Sequence, residues 1–64
     1  MKKFITKNGF IYNMDNVCFA YYNRDSMKFM MCFLKENHGF RCSDDEYKAI
    51  VNFLKSKDET YLEL

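Results

Sequence analysis

The stretch that decides the fold is residues 17–34, VCFAYYNRDSMKFMMCFL. It contains two apolar runs separated by the polar sequence NRDS, and both alternating faces of each run are largely apolar. This pattern predicts two β-strands that are buried on both sides. One small helix covers only one face of such a hairpin. We therefore expect a second copy of the chain or another protein to cover the rest, because large exposed apolar patches usually mark interaction sites.

The register of this hairpin is open from the sequence. A three-residue loop at 24–26 sets Cys18 opposite Cys32, whereas an even-numbered loop offsets the strands by one residue. We favour the three-residue loop. It gives one face of the hairpin a common set of apolar residues: Val17, Phe19, Tyr21, Phe29, Met31 and Phe33.

An Asn-Gly pair near the N-terminus is the clearest local signal. Asn8 and Gly9 lie between two β-prone runs and supply the positive φ angles of a two-residue hairpin turn. The turn predicts that Lys7 pairs with Phe10, and that Ile5 pairs with Tyr12. The sequence MDN at 14–16 then reverses the chain into the strand that begins at Val17.

A capping box marks the start of one helix. Ser43 and Glu46 have the spacing in which each side chain bonds the other residue's amide, so the helix begins at residue 44. Four apolar residues at helical spacing predict its buried stripe: Tyr47, Ile50, Val51 and Leu54. Phe53 lies off this stripe, either at the core margin or in a partner contact.

These elements predict an α+β fold. We expect an antiparallel sheet of three to four strands, built as a meander of hairpins, followed by one C-terminal amphipathic helix packed on one face. Residues 1–56 form this single ββββα domain, in which 40–42 is a short edge strand. Residues 57–64 are a tail that extends the helix, adds an edge strand, contacts a partner or frays.

Composition and charge exclude several classes of protein. The 64 residues carry a net charge of only +1, although residues 1–42 are basic and residues 43–64 are acidic. No apolar run approaches the ~20 residues of a membrane span. The three cysteines are odd in number and without a Cys-x-x-Cys pair, and no secretory signal precedes the domain, so we expect reduced thiols in a cytoplasmic protein.

The sequence offers little catalytic chemistry. The two glycines do not form a phosphate-binding loop. Cys42 is the thiol whose position beside Arg41 and a helix start favours a lowered pKa, but it reads more simply as a small strand residue. A nucleophilic Cys-His pair would have to use His38 with Cys32 or Cys42, whose closeness in sequence does not establish the geometry, and helix capping explains the acidic residues 44–46. We therefore predict a non-enzymatic protein without metal or cofactor.

The leading functional hypothesis is a homo-oligomer that binds another protein. Its predicted interface consists of aromatic and methionine side chains: Tyr22, Met27, Phe29, Met31, Phe33 and Phe53. The alternative is a binding or sequestering protein for a small anionic ligand such as a nucleotide, held by Arg24, Lys28, Arg41 and Tyr22. A single-stranded nucleic-acid binder comes third, because sheet aromatics lie among basic residues.

The sequence IYNMDNV at 11–17 resembles a corner found in a loose group of small bacterial and phage proteins. In that group the corner reads I-N-x-D-N-V and lacks one of the residues present here. Those proteins also begin with a hairpin and end in an acidic-capped helix, so the resemblance spans about residues 4–55. The group has no common activity, and the resemblance implies no site residues. In size and style the chain also resembles phage-encoded inhibitors of bacterial defence systems, which occupy a protein surface or sequester a signalling nucleotide.

Overall fold

The computed structural model describes residues 2–64 and has an α+β architecture, as predicted. A short 3-10 turn, Met14–Asn16, separates the second strand from the third. The elements in chain order are β1 (Phe4–Lys7), β2 (Phe10–Asn13), β3 (Val17–Asn23), β4 (Lys28–Phe33), β5 (Asn37–Arg41), α1 (Asp44–Lys55) and β6 (Tyr61–Glu63).

The first hairpin has the predicted turn and register. Asn8 and Gly9 have φ angles of 55° and 83°, which is the left-handed region that this turn requires. Lys7 pairs with Phe10, and Ile5 pairs with Tyr12. The structure thus confirms the prediction, and the sequence could make it because the turn depends on two adjacent residues alone.

The second hairpin has a four-residue turn at 24–27, so the predicted three-residue loop is wrong. Asn23 pairs with Lys28, and Phe19, not Cys18, lies opposite Cys32. Two features stabilise this turn: Met27 adopts a positive φ of 53°, and the side-chain oxygen of Asn23 accepts bonds from two turn amides. A β-bulge near Cys18 shifts the register by one residue at the start of β3.

This register separates the aromatic residues that we placed on one face. Residues opposite each other across a ladder share a face, so Phe19 and Tyr21 lie with Cys32 and Met30. Phe29 and Met31, one position along, point to the other face and are buried. We call the side of β3, β4 and β5 that carries Phe19 and Tyr21 the outer face, and the opposite side the inner face.

The strands form two three-stranded sheets instead of one continuous sheet. Their orders are β2-β1-β6 and β3-β4-β5. Strand β6 runs parallel to β1, and backbone bonds from the Phe4 amide to the Thr60 carbonyl and from the Leu64 amide to the Thr6 carbonyl extend this pairing. Of the alternatives predicted for residues 57–64, the structure shows the added edge strand, β6.

The helix begins as predicted but buries a different side. Ser43 Oγ accepts from the Glu46 amide at 3.1 Å, and Glu46 Oε1 accepts from the Ser43 amide at 3.0 Å. Ile50 is buried as expected, but Leu54 is 40% exposed and Phe53 only 1%. The buried side is rotated because α1 contacts both sheets: Lys7 of β1 bonds Glu46, while Tyr47 packs on Tyr22 of β3.

The core lies where the inner faces of the two sheets meet the helix. Aromatic contacts connect the layers, with ring centroids of Tyr12 and Phe40 5.6 Å apart. The ring centroids of Phe40 and Phe29 are also 5.6 Å apart. The fully or almost fully buried residues are Ile5, Tyr12, Phe29, Met31, Phe40, Cys42, Ile50 and Phe53.

Candidate functional site

Strand β3 is an edge strand of its sheet, and hydrogen bonds elsewhere in that sheet show which way its backbone points. Phe33 at the end of β4 donates its amide proton to the Glu36 carbonyl at 2.8 Å. At the other end, the Met27 carbonyl accepts from the Cys42 amide at 2.8 Å. Successive residues of a strand turn their backbone groups to opposite edges. The odd-numbered residues of β4 therefore bond to β5, and the even-numbered ones bond to β3.

This alternation identifies the free backbone groups of β3. Tyr21, opposite Met30, directs its amide and carbonyl toward β4. Ala20 and Tyr22 consequently direct theirs toward the open edge. Within the described part of the chain, no strand pairs with that edge. Unpaired groups of this kind form a template for another strand.

The side chains of β3 are exposed to an unusual degree for apolar residues. Phe19 is 61% exposed and Tyr21 is 50% exposed. Ala20 and Cys18 are exposed as well. The seven residues of β3 include no charged residue and no proline, so the β-bulge near Cys18 is the one feature of the strand itself, among those that commonly protect an edge strand, that β3 has.

The rest of the outer face continues this apolar surface. Met30 and Cys32 of β4 are half-buried beside Phe19 and Tyr21. The Met30 side chain lies over Gly39 of β5, so closely that a Cβ on Gly39 would overlap the Met30 sulfur. The glycine therefore provides the depression in which Met30 lies.

A pair of cations lies at one end of the outer face. Lys28 and Arg41 are opposite each other in the ladder between β4 and β5, and both are exposed. Their sequence neighbours Phe29 and Phe40 point to the core, so the two cationic side chains start on the outer face. The outer face thus combines an apolar centre with positive charge at its edge.

The inner side of β3 is held firmly by the helix. The Tyr22 ring stacks on Tyr47, with centroids 4.5 Å apart and planes inclined by 14°. Its hydroxyl lies 2.8 Å from the Cys42 carbonyl and 3.1 Å from Asp44 Oδ1. Loss of hydration, and then the hydrogen bond to Asp44, raise the pKa of Tyr22. Tyr22 thus anchors the strand whose outer side chains are free.

Several residues of the predicted interface lie in the interior, which corrects that part of the prediction. Phe29, Met31 and Phe53 are at most 2% exposed and pack in the core, because the register and the helix rotation turn them inward. Phe33 is half-buried, with its ring edge-to-face against His38 at 5.6 Å. Tyr22 is half-buried and stacks on Tyr47.

Met27 alone among the predicted interface residues is exposed, at the turn between β3 and β4. Sequence reasoning omitted Phe19 and Tyr21, which are the exposed aromatic residues of the outer face. The sequence signal for these two residues was the apolar character of both faces of the hairpin, but the wrong predicted register placed them on the face of Phe29. The four-residue turn requires a positive φ at Met27, and methionine gives no indication of it.

The structure does not bring the four predicted ligand-binding residues together. Tyr22 and Arg24 line an open cleft of about 420 Å³, whose other walls include Tyr47 and Asp25. Lys28 starts on the outer face, as Arg41 does, away from the inner face that carries Tyr22. The Asp25 carboxylate in the cleft disfavours an anion beside Arg24.

The structure does not place Cys42 in a setting that lowers its pKa. Cys42 is buried, its Sγ donates to the Ser43 carbonyl at 3.4 Å, and burial together with nearby Glu46 raises the pKa of the thiol. This corrects the expectation of a lowered pKa. His38 pairs with Glu36 at 3.1 Å. Among the described side chains, no group of three or more metal-ligating residues converges.

Comparison with protein-family models, with curated proteins and with solved structures found no match. Between residues 2 and 64, the structure contains no helix that is both long and apolar enough to cross a membrane.

Proposed function

We propose that this chain is a non-enzymatic binding protein that docks another protein on the outer face of the β3-β4-β5 sheet. One observation carries the proposal: Phe19 and Tyr21 remain 61% and 50% exposed at the centre of an uncharged strand. Half-exposed aromatic residues on a rigid strand are the anchors that concentrate binding energy in protein interfaces.

The surroundings of these two rings favour a protein partner. Met30 beside them is flexible and polarisable, so it adapts to the shape of an apolar partner surface. The stack of Tyr22 on Tyr47 fixes β3 in place, which lowers the entropy lost on binding. Lys28 and Arg41 at the end of the face attract a partner that carries acidic groups beside its apolar contact.

Occupation of a partner's surface is also the mode of action that the resemblance to phage-encoded inhibitors of bacterial defence implies. The outer face is the surface that we assign to it. Sequestration of a nucleotide, the other mode, has weaker support because the cationic residues do not converge on one cleft.

The proposal is tested by comparing three immobilised proteins in a lysate of the source organism. The first is the native chain, and the second carries Phe19→Ser and Tyr21→Ser. The matched control carries Phe10→Ser and Ile11→Ser, which remove two apolar side chains of similar exposure from the other sheet. Circular dichroism establishes that all three are folded.

We expect a protein that is retained by the native chain and by the control, and that the Phe19 and Tyr21 double variant loses. Purified partner and native chain then give a dissociation constant, which the double variant raises by about 100-fold, the equivalent of two lost aromatic anchors. Equal retention by all three proteins contradicts the assignment of the outer face.

A further inference from the structure

We propose that this chain binds a small amine with an apolar body in a cleft between its two sheets. The cleft, which we call the inter-sheet cleft, has a volume of about 330 Å³. Strand β2 lines one side of it, and Phe33, Glu36 and His38 line the other. Phe33 and His38 lie with Met31 on the inner face of the β3-β4-β5 sheet. The site is therefore separate from the outer face and goes beyond the proposed docking of a protein.

A row of four rings lines the inter-sheet cleft. The ring centroids of Phe10 and Tyr12 are 6.2 Å apart, with planes inclined by 23°. The Tyr12 ring lies 6.1 Å from the His38 ring, which lies 5.6 Å from the Phe33 ring. Phe10 is 61% exposed and Phe33 is half-buried, whereas Tyr12 is buried. Phe10 and Phe33 thus offer ring surface to a ligand, and Tyr12 closes the cleft toward the core.

One carboxylate borders these rings. Glu36 Oε1 lies 3.1 Å from His38 Nε2, a contact that orients the acid. Between residues 2 and 64, the structure gives the Glu36 side chain no other ion pair or hydrogen bond. Its second oxygen is therefore free to accept a hydrogen bond from a ligand.

The charge and the rings together select a cation. The face of an aromatic ring attracts a positive charge through its quadrupole, and the Glu36 carboxylate attracts it directly. Neither lysine nor arginine is among the described residues that line the cleft, so an anion would meet the carboxylate without a compensating charge. An ammonium group donates to the free Glu36 oxygen, while an apolar body attached to it packs on Phe10, Ile11 and Phe33.

The dimensions of the cleft set the size and the affinity of the ligand. Small-molecule pockets are typically about 300–1,000 Å³, so this cleft suits a free amine of about ten non-hydrogen atoms. The Glu36 side chain is 67% exposed, so water and salt screen its attraction for the ammonium group. We expect a dissociation constant of about 1 mM.

Titration with 2-phenylethylammonium tests the site, with backbone amide shifts in two-dimensional NMR spectra as the measurement. We expect the shifts to be largest at Phe10, Phe33 and His38. Two analogues separate the contributions. The alcohol 2-phenylethanol keeps the ring without the charge, and methylammonium keeps the charge without the apolar body. Each should bind at least about fivefold more weakly than 2-phenylethylammonium.

Three variants locate the contacts. Glu36→Gln keeps the shape of the side chain, so it should raise the dissociation constant of 2-phenylethylammonium about fivefold and leave that of 2-phenylethanol unchanged. The double variant Phe10→Ser and Ile11→Ser should weaken binding of both ligands about fivefold. The matched control, Phe19→Ser with Tyr21→Ser, changes the outer face only and should bind both ligands like the native chain.

Several results overturn the inference: no saturable shift up to about 20 mM amine, equal affinity for amine and alcohol, undiminished amine binding by Glu36→Gln, or shifts that cluster outside the inter-sheet cleft. Tighter binding of Nα-acetyl-lysine methylamide than of 2-phenylethylammonium also overturns the assignment to a free amine, because it points to a lysine side chain of a protein. Failure here is distinguishable from failure of the proposed function. The lysate experiment depends on the Phe19 and Tyr21 substitutions, which do not alter this cleft.

Discussion

Lys3 connects the N-terminus to the end of the helix, and replacing it by methionine should destabilise the whole fold. Its ammonium group donates to three carbonyls, those of Phe53 at 2.8 Å, Ser56 at 2.7 Å and Glu59 at 2.7 Å. It also lies 4.6 Å from the centroid of the Phe53 ring. One cation therefore satisfies carbonyls at the helix C-terminus and in the segment that leads into β6.

The magnitude of the loss follows from these contacts. A hydrogen bond to a charged group contributes about 1.5–3 kcal/mol, and a cation at a helix C-terminus adds up to about 2 kcal/mol. These terms overlap because a single ammonium makes all the contacts, and the Glu59 contact is exposed. We expect Lys3→Met to cost about 2–3 kcal/mol in total, since methionine keeps the apolar stem over Phe53 and removes only the charge.

Such a loss is large for this chain. A domain of 64 residues has a free energy of unfolding of roughly 3–10 kcal/mol, and the cost of Lys3→Met corresponds to a fall in melting temperature of about 10–20 °C. Urea unfolding followed by circular dichroism at 222 nm measures it, with exposed Lys2→Met as the matched control. A difference between the two variants below about 0.5 kcal/mol would refute the capping role that we assign to Lys3.

Two further predictions concern the helix. The hydrogen bonds from Lys7 and Ser43 hold the pKa of Glu46 below its ordinary value of 4.5. The stability that this carboxylate contributes is therefore present above pH 4.5 and lost as the pH falls through its lowered folded-state pKa. Glu46→Gln should make the urea midpoint of unfolding depend less on pH between pH 6 and pH 3. Phe53→Ala should cost about 3–5 kcal/mol in urea unfolding, because it opens a core cavity. If Phe53 instead lay exposed as a partner contact, Phe53→Ala would leave the free energy of unfolding nearly unchanged.

The parts of the fold that were predictable from the sequence depend on neighbouring residues. Asn8 and Gly9 set a turn through their own φ angles, and Ser43 with Glu46 caps a helix through bonds three residues apart. Neither feature requires the rest of the chain. Both therefore appear in the structure as the sequence indicated.

The parts that were not predictable depend on distant contacts. Strand β6 forms because residues 61–63 meet β1, more than fifty positions earlier in the chain. The buried side of α1 is set by the two sheets together, which is why Phe53 replaces Leu54 in the core. The turn after β3 differs for a local reason: it takes a fourth residue through a positive φ at Met27, which the methionine side chain does not favour.

The apolar character of both faces of residues 17–34 suggested that one helix is too small to cover them. Within the chain, the β2-β1-β6 sheet joins α1 in covering the inner face of these strands. Both covering elements lie on the same side, so neither reaches the outer face or the open edge of β3. The excess that remains lies on the outer face, chiefly at Phe19 and Tyr21, and at Met27 and Leu34 beside it in sequence. Docking of a partner protein there, as we propose, covers Phe19 and Tyr21, the two exposed aromatic rings of that face.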